Sequence, residues 1–164
     1  MHLTEEELEK YKKHPRVLEV RFCVFFHLLE KEYGFQGAMK FVTAICGAYS
    51  CNISLLNALI NRRFDIIRNG KTKYRFWRQE IIFMGYVNGE TTYRVAKDFL
   101  NINPHVLYSQ SDIYNINKFC TNEWLEKFDK QTMFCGQDYY KIEVSRFLGV
   151  IDEVSEVIKK WKGF

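Results

Sequence analysis

Apolar residues recur every three or four positions along most of this 164-residue chain, and only two prolines interrupt it. That spacing places the apolar side chains on one face of a helix, which predicts an all-α fold. With 47% hydrophobic and 27% charged residues, the chain can bury a sizeable core. We therefore predict one compact multi-helix domain over residues 1–164. The alternative is a division into an N-terminal helical part, 1–70, and a second part, 71–164, that ends in a helix.

The predicted helices begin and end at recognisable residues. Thr4, followed by three glutamates, forms a capping box for a short helix to about Lys13, and Pro15 ends it. Gly34 ends the next and longer helix. The helices predicted after the first one cover residues 17–33, 37–49, 52–64, 73–87, 122–128 and 139–161, the last with a bend near Gly149.

Residues 89–110 predict two short helices joined by a tight polar turn. Thr91 or Thr92 caps the first helix, whose apolar residues recur at helical spacing. Asn103 caps the second helix, and Pro104 takes its first position, where the missing N–H is tolerated. The side chains expected to be exposed near the start of the second helix are His105, Tyr108, Ser109 and Gln110.

This segment resembles the helix-turn-helix of bacterial and phage DNA-binding proteins. Ala96 takes the usual small-residue position and Ile102 is the apolar anchor of the turn. Five residues separate these two, where the familiar pattern has four, and Asn101 replaces the usual glycine. The resemblance implies that the second helix enters the major groove of DNA. Base edges would then be contacted by His105, Tyr108, Ser109 and Gln110. A plain helical hairpin that packs a core is the alternative.

Basic residues are concentrated just before this segment. Residues 61–80 contain seven basic residues and two acidic ones, although the net charge of the whole chain is only +4. Such a cluster favours contacts with DNA phosphates, and a solvated helical face is the alternative. The predicted phosphate contacts are Arg62, Arg63, Lys71, Lys73, Arg75, Arg78 and Arg94.

A second segment, residues 49–63, has an Asn-Ile-Ser turn that is similar to the Asn-Ile-Asn turn at 101–103. A true repeat would give the domain two helix-turn-helix units, and Asn57, Asn61, Arg62 and Arg63 would then lie on a recognition helix. Asparagine and arginine are the side chains best suited to bidentate contacts with adenine and guanine, and we predict that Asn57 and Asn61 contact bases. Accidental similarity between two helical hairpins is the alternative.

Metal and catalytic sites find little support in the sequence. Five cysteines include no CxxC pair, and the spacings of Cys46, Cys51, Cys120 and Cys135 do not match those of compact zinc sites. The chain has no P-loop, no GxGxxG motif and no GxSxG motif. We predict no metal, no cofactor, no catalytic residue and no enzymatic activity.

The sequence also bears on location and partners. No apolar run approaches the roughly 18 residues of a membrane span, and the N-terminus is charged, so we expect a cytoplasmic protein that does not contact the membrane. We predict a sequence-specific transcriptional regulator of bacterial, phage or plasmid origin that binds double-stranded DNA. Its C-terminal helix either closes the core or pairs two subunits in a homodimer. The alternative is a small helical adaptor or inhibitor that binds a host protein.

Overall fold

The computed structural model describes residues 3–68, 80, 83–89, 95, 121–130 and 138–154. Of these residues 88% are helical and none lies in a strand, so the predicted all-α fold is confirmed. Residues 83–88 are helical as well. The other helices are α1 (Glu5–Lys12), α2 (Pro15–Tyr49), α3 (Ile53–Asn61), α4 (Arg63–Arg68), α5 (Asn122–Asp129) and α6 (Asp138–Glu153).

The start of α1 is the predicted capping box. The Thr4 hydroxyl accepts a hydrogen bond from the Glu7 backbone N–H, and the Glu7 carboxylate accepts one from the Thr4 N–H, each at 3.1 Å. Two backbone donors that the helix itself leaves without partners are thereby satisfied. Pro15 does more than end α1, because it is also the first residue of α2, and His14 is the N-cap, accepting from the Arg16 N–H at 3.1 Å.

α2 is the central helix of the fold and packs against α1, α3, α4 and α6. We predicted two helices separated at Gly34, and the break is confirmed: the backbone of α2 is non-helical at Gly34, and the helical segments on either side of it meet there at a kink. Gly34 has φ 73° and ψ 170°, a conformation that is almost restricted to glycine. Gly37 is needed for a second reason, since a Cβ at this position would lie 2.6 Å from the Tyr33 Cβ.

One hydrophobic core holds the described helices together. Phe22 and Phe26 of α2 are fully buried, as are Leu56 and Leu59 of α3. The C-terminal helix α6 closes the core with Phe147, whose ring lies 5.5 Å from that of Phe22 in an edge-to-face arrangement. Closure of the core is one of the two alternative roles that we predicted for the C-terminal helix.

A buried ionic centre, which we call the Arg16 centre, joins three parts of the chain. The Arg16 Nε lies 2.6 Å from a Glu80 carboxylate oxygen, and a second guanidinium nitrogen donates to the Ile66 carbonyl at 2.7 Å. A further guanidinium nitrogen lies 3.8 Å from the Glu19 carboxylate. All three charged residues are buried, so each depends on the others for compensation of its charge.

Candidate nucleic-acid interface

The connection between α2 and α3 consists of only three residues, 50–52. Ser50 adopts the left-handed conformation, with φ 57° and ψ 37°, and its N–H donates to the Cys46 carbonyl. The Cys51 N–H donates to the same carbonyl at 2.9 Å. These bonds satisfy a carbonyl at the end of α2 and turn the chain sharply, in the manner of a left-handed helix cap.

Asn52 then starts α3 as its N-cap. Its side-chain oxygen accepts from the N–H of Ser54 at 3.0 Å and from the N–H of Leu55 at 3.4 Å. The Asn52 N–H in turn donates to the carboxylate of Glu143 in α6. The turn is therefore fixed to the body of the protein as well as to the two helices that it joins.

The turn lies two residues earlier than the sequence predicted. We predicted an Asn-Ile-Ser turn at 52–54, but Ile53 and Ser54 are the first residues of α3 and Asn52 is its N-cap. The connection consists instead of residues 50–52 and begins with the left-handed Ser50.

α3 has a buried face and a polar face. Leu56, Leu59 and Ile60 are fully buried in the core. Residues three, four and seven positions apart share one face of a helix. The face away from the core accordingly presents Ser54, Asn57, Ala58 and Asn61, of which Ser54 and Asn61 are exposed and the other two half-buried.

Asn57 is half-buried and Asn61 is exposed, and neither side chain makes a hydrogen bond with another described residue. Each amide offers two donor hydrogens and one acceptor oxygen. The structure thus places both predicted base-contacting residues side by side on the exposed face of one helix.

Arg62 and Arg63, which follow α3, differ in their surroundings. The Arg62 side chain is 50% exposed, and its Nε lies 2.9 Å from the Asp65 carboxylate. Arg63 is only 10% exposed and binds both carboxylate oxygens of Glu30, at 3.0 and 2.8 Å. It also donates to the Ile60 carbonyl at 2.7 Å, so its guanidinium is already engaged within the protein. Of these two predicted phosphate contacts, Arg62 is the one that reaches the surface.

Aromatic rings surround the guanidinium of Arg63. Its central carbon lies 4.4 Å from the ring centroid of Phe64, 5.3 Å from that of Phe26 and 5.5 Å from that of Phe35. Such distances give favourable cation–π contacts. Phe35, Phe64 and the neighbouring Tyr33 are about 40% exposed. We call Arg63, Glu30 and the rings of Phe26, Phe35 and Phe64 the Arg63 centre.

The charges next to α3 are largely paired, since Arg62 contacts Asp65, Arg63 contacts Glu30, and Glu143 lies at the start of the helix. Between Glu32 and Asp65 the sequence contains no acidic residue, whereas Lys40, Arg62 and Arg63 are basic. The described residues as a whole have 14 Lys and Arg against 16 Asp and Glu, while the full chain has 24 against 20. The basic excess of the chain therefore comes from residues outside the described ranges.

Several predicted site residues lie outside the described residues. The structure describes only Gly89 and the buried Val95 from the first predicted helix-turn-helix. The predicted phosphate contacts that fall outside are Lys71, Lys73, Arg75, Arg78 and Arg94, and the predicted base contacts are His105, Tyr108, Ser109 and Gln110.

Cys46, at the end of α2, and Cys51, in the turn, lie in surroundings that favour the thiol over the thiolate. Burial, together with Cys51 and Glu143, raises the pKa of Cys46 to about 12, and burial also raises the pKa of Cys51. Among the described residues no three His, Cys, Asp or Glu side chains cluster as metal ligands would. Cys120 and Cys135, the other two residues of the zinc alternative, lie outside the described ranges.

No protein-family model, no curated protein and no solved structure matches this chain. A search of the described helices for a membrane span finds none with the necessary length and apolar character.

Proposed function

We propose that this protein binds double-stranded DNA sequence-specifically and uses α3 as a recognition helix. The observation that carries this proposal is the exposed face of α3, on which Ser54, Asn57 and Asn61 lie directly after a three-residue turn. The major groove, about 12 Å wide, admits one α-helix. Nine residues of helix extend about 13 Å and span about four base pairs, which is the size of a half-site.

The fixed attachment of α3 supports this role. Its inner face is fully buried, Asn52 joins its start to α6, and Arg63 joins its end to α2 through Glu30. A helix that reads base edges must hold its side chains in a defined geometry, because hydrogen bonds weaken steeply with misalignment. α3 meets this requirement at both ends.

Affinity for the phosphate backbone would come from basic residues around the helix. Lys40 and Arg62 lie in the segment without acidic residues. We propose that Lys71, Lys73, Arg75, Arg78 and Arg94 contribute further phosphate contacts, and that residues 89–110 form a second DNA-contacting unit. Each neutralised phosphate releases counterions, so binding should weaken steeply as salt rises.

The biological role that fits this activity is transcriptional regulation in the cytoplasm of a bacterium, encoded by the host, a phage or a plasmid. Binding as a homodimer would match a two-fold symmetric DNA site.

Selection of bound duplexes from a random library tests this function. The wild type should enrich one sequence, and the variant Asn57→Ala with Asn61→Ala should lose most of that enrichment while keeping a wild-type circular dichroism spectrum. Asn122→Ala is the matched control, because it removes an exposed asparagine from α5, and it should select the wild-type sequence. If the wild type enriches no sequence at low salt, the proposal is wrong.

The Arg63 centre favours a second candidate function, a helical adaptor that binds another protein. Exposed aromatic rings around an arginine are typical of energetically important residues in protein interfaces. Such a complex should persist as salt rises, whereas binding to DNA should not. A protein complex that survives 0.5 M NaCl and is lost in Phe35→Ala with Phe64→Ala, without retention of duplex DNA by the wild type, would favour this candidate.

A further inference from the structure

The exposed face of α3 has an unusual chemical composition for a DNA-reading helix. It presents two carboxamides, one hydroxyl and the methyl group of Ala58, and residues 53–61 contain no charged side chain. Arginine and lysine are the side chains that best recognise guanine, through its O6 and N7 acceptors. α3 therefore lacks the usual means of selecting G·C pairs.

Carboxamides distinguish adenine from guanine by the order of donors and acceptors. Adenine presents an acceptor, N7, beside a donor, the N6 amino group, and an asparagine amide can satisfy both at once. Guanine presents two acceptors, N7 and O6. If the amide NH2 donates to one of them, the amide oxygen faces the other and neither has a hydrogen to share. A desolvated acceptor that lacks a partner is costly, and guanine is disfavoured for that reason.

The spacing of the two asparagines sets the spacing of the bases. Asn57 and Asn61 are four residues apart, which is about 6 Å along the helix axis. Base pairs are about 3.4 Å apart, so the two amides reach bases that are about two pairs apart when the helix lies along the groove. Ala58 lies on the same face between them, where its methyl group can contact the 5-methyl group of a thymine.

We infer that α3 selects A·T pairs, with Asn57 and Asn61 each recognising an adenine and the two adenines about two base pairs apart. This inference rests on the proposed DNA-binding function and adds the chemical identity of the bases. Asn57 and Asn61 are thus specificity-determining residues. Ser54, whose hydroxyl is compatible with any base, adds little selectivity.

Selection from a random duplex library, read by sequencing, tests the inference. The wild type should enrich adenine at two positions separated by about one intervening pair. Asn57→Ala should remove the preference at one of these positions and Asn61→Ala at the other, and Asn122→Ala should change neither. Loss of one bidentate contact should weaken binding to the selected duplex by about tenfold or more.

A second measurement uses only the unaltered protein and so does not depend on the folding of a variant. Replacing each selected adenine with 7-deazaadenine removes the N7 acceptor while base pairing is kept. The affinity of the wild type should fall by about tenfold at each of the two positions and should not change at flanking adenines.

Different outcomes contradict the adenine inference and the proposed DNA binding. Enrichment of guanine at the two positions, or unchanged preferences in both asparagine variants, would overturn the adenine inference and leave DNA binding in place. Failure of the wild type to enrich any sequence would overturn both.

Discussion

Two arginines in this protein are held by the same kinds of partner, yet their surroundings differ. Arg16 and Arg63 each bind a glutamate and donate to a backbone carbonyl at 2.7 Å. The Arg16 side chain is only 3% exposed, and that of its partner Glu80 is 4% exposed. The Arg63 partner, Glu30, is 22% exposed, and two half-exposed phenylalanine rings flank the guanidinium.

The difference shows what each centre does in the fold. The Arg16 centre joins residues that are 50 and 64 positions apart in the sequence, so it fixes the global arrangement of the helices. The Arg63 centre fixes one end of α3 against α2 at the protein surface. A buried charge without its partner is far more costly than one that water can still reach, so the two centres should respond differently to substitution.

The largest effect is expected for Arg16→Met. The change leaves the carboxylates of Glu19 and Glu80 buried without their cation, and the free energy of unfolding should fall by about 3–5 kcal/mol. Urea denaturation followed by circular dichroism measures this loss. A decrease below about 1 kcal/mol would show that the Arg16 centre does not hold the helices together.

Arg63→Met should have a smaller effect and lower the free energy of unfolding by about 1.5–3 kcal/mol, because water still reaches Glu30 after the change.

The two centres should also differ in how their stabilising effect depends on salt. Salt screens ion pairs that water can reach, and it screens buried ion pairs much less. Raising NaCl from 0.1 to 1 M should reduce the difference between wild type and Arg63→Met in urea denaturation. The same increase should leave the difference for Arg16→Met nearly unchanged, and equal salt effects would contradict the comparison.

The kink beside the Arg63 centre gives a third prediction. Gly34→Ala should lower the free energy of unfolding by about 1–3 kcal/mol, because the conformation at Gly34 is strained for any side chain. The matched control is Gly47→Ala in the same helix, where a Cβ has open space, and it should stabilise the protein by about 0.5–1 kcal/mol. Thermal unfolding measures both changes. A neutral Gly34→Ala would mean that α2 can straighten at no cost.

The smallest effect is a pH dependence that arises at the N-cap of α2, beside the Arg16 centre. His14 caps α2 next to Arg16, and burial lowers its pKa below 6.5, against the opposing effect of Asp129. As the pH falls, the unfolded chain takes up the proton first, so stability is lost from about pH 6.5 downward through the pKa of the folded state. His14→Asn keeps an N-cap and should flatten this part of the curve of urea midpoint against pH. If the variant gives the same curve as the wild type, His14 is not the cause of this pH dependence.

Much of the helical arrangement could be predicted because its signals are local. Thr4 with Glu7, and Pro15 after His14, act on backbone groups within three residues, so the sequence reveals them directly. Gly34 was recognised as the break between the predicted helices 17–33 and 37–49, because glycine readily adopts the positive φ found there. How the two segments pack on either side of the kink depends on contacts that are spread over the whole core.

The candidate site was predictable in part for the same reason. The spacing of Asn57 and Asn61 places them on one helical face, as expected. The neighbours Arg62 and Arg63 carry the same charge in the sequence, however, and only a contact with Glu30, 33 residues earlier, separates a surface arginine from an enclosed one. A charge count cannot detect that contact.

The short connection between α2 and α3 also bears on the order in which the chain folds. Bringing α2 and α3 together closes a connection of three residues and costs little chain entropy. Bringing Arg16 to Glu80 closes a loop of 64 residues and costs more. Long-range contacts must lose loop-closure entropy before they gain stability. We therefore expect the contacts between α2 and α3 to form before the Arg16 centre, so that the surface we propose for DNA assembles first.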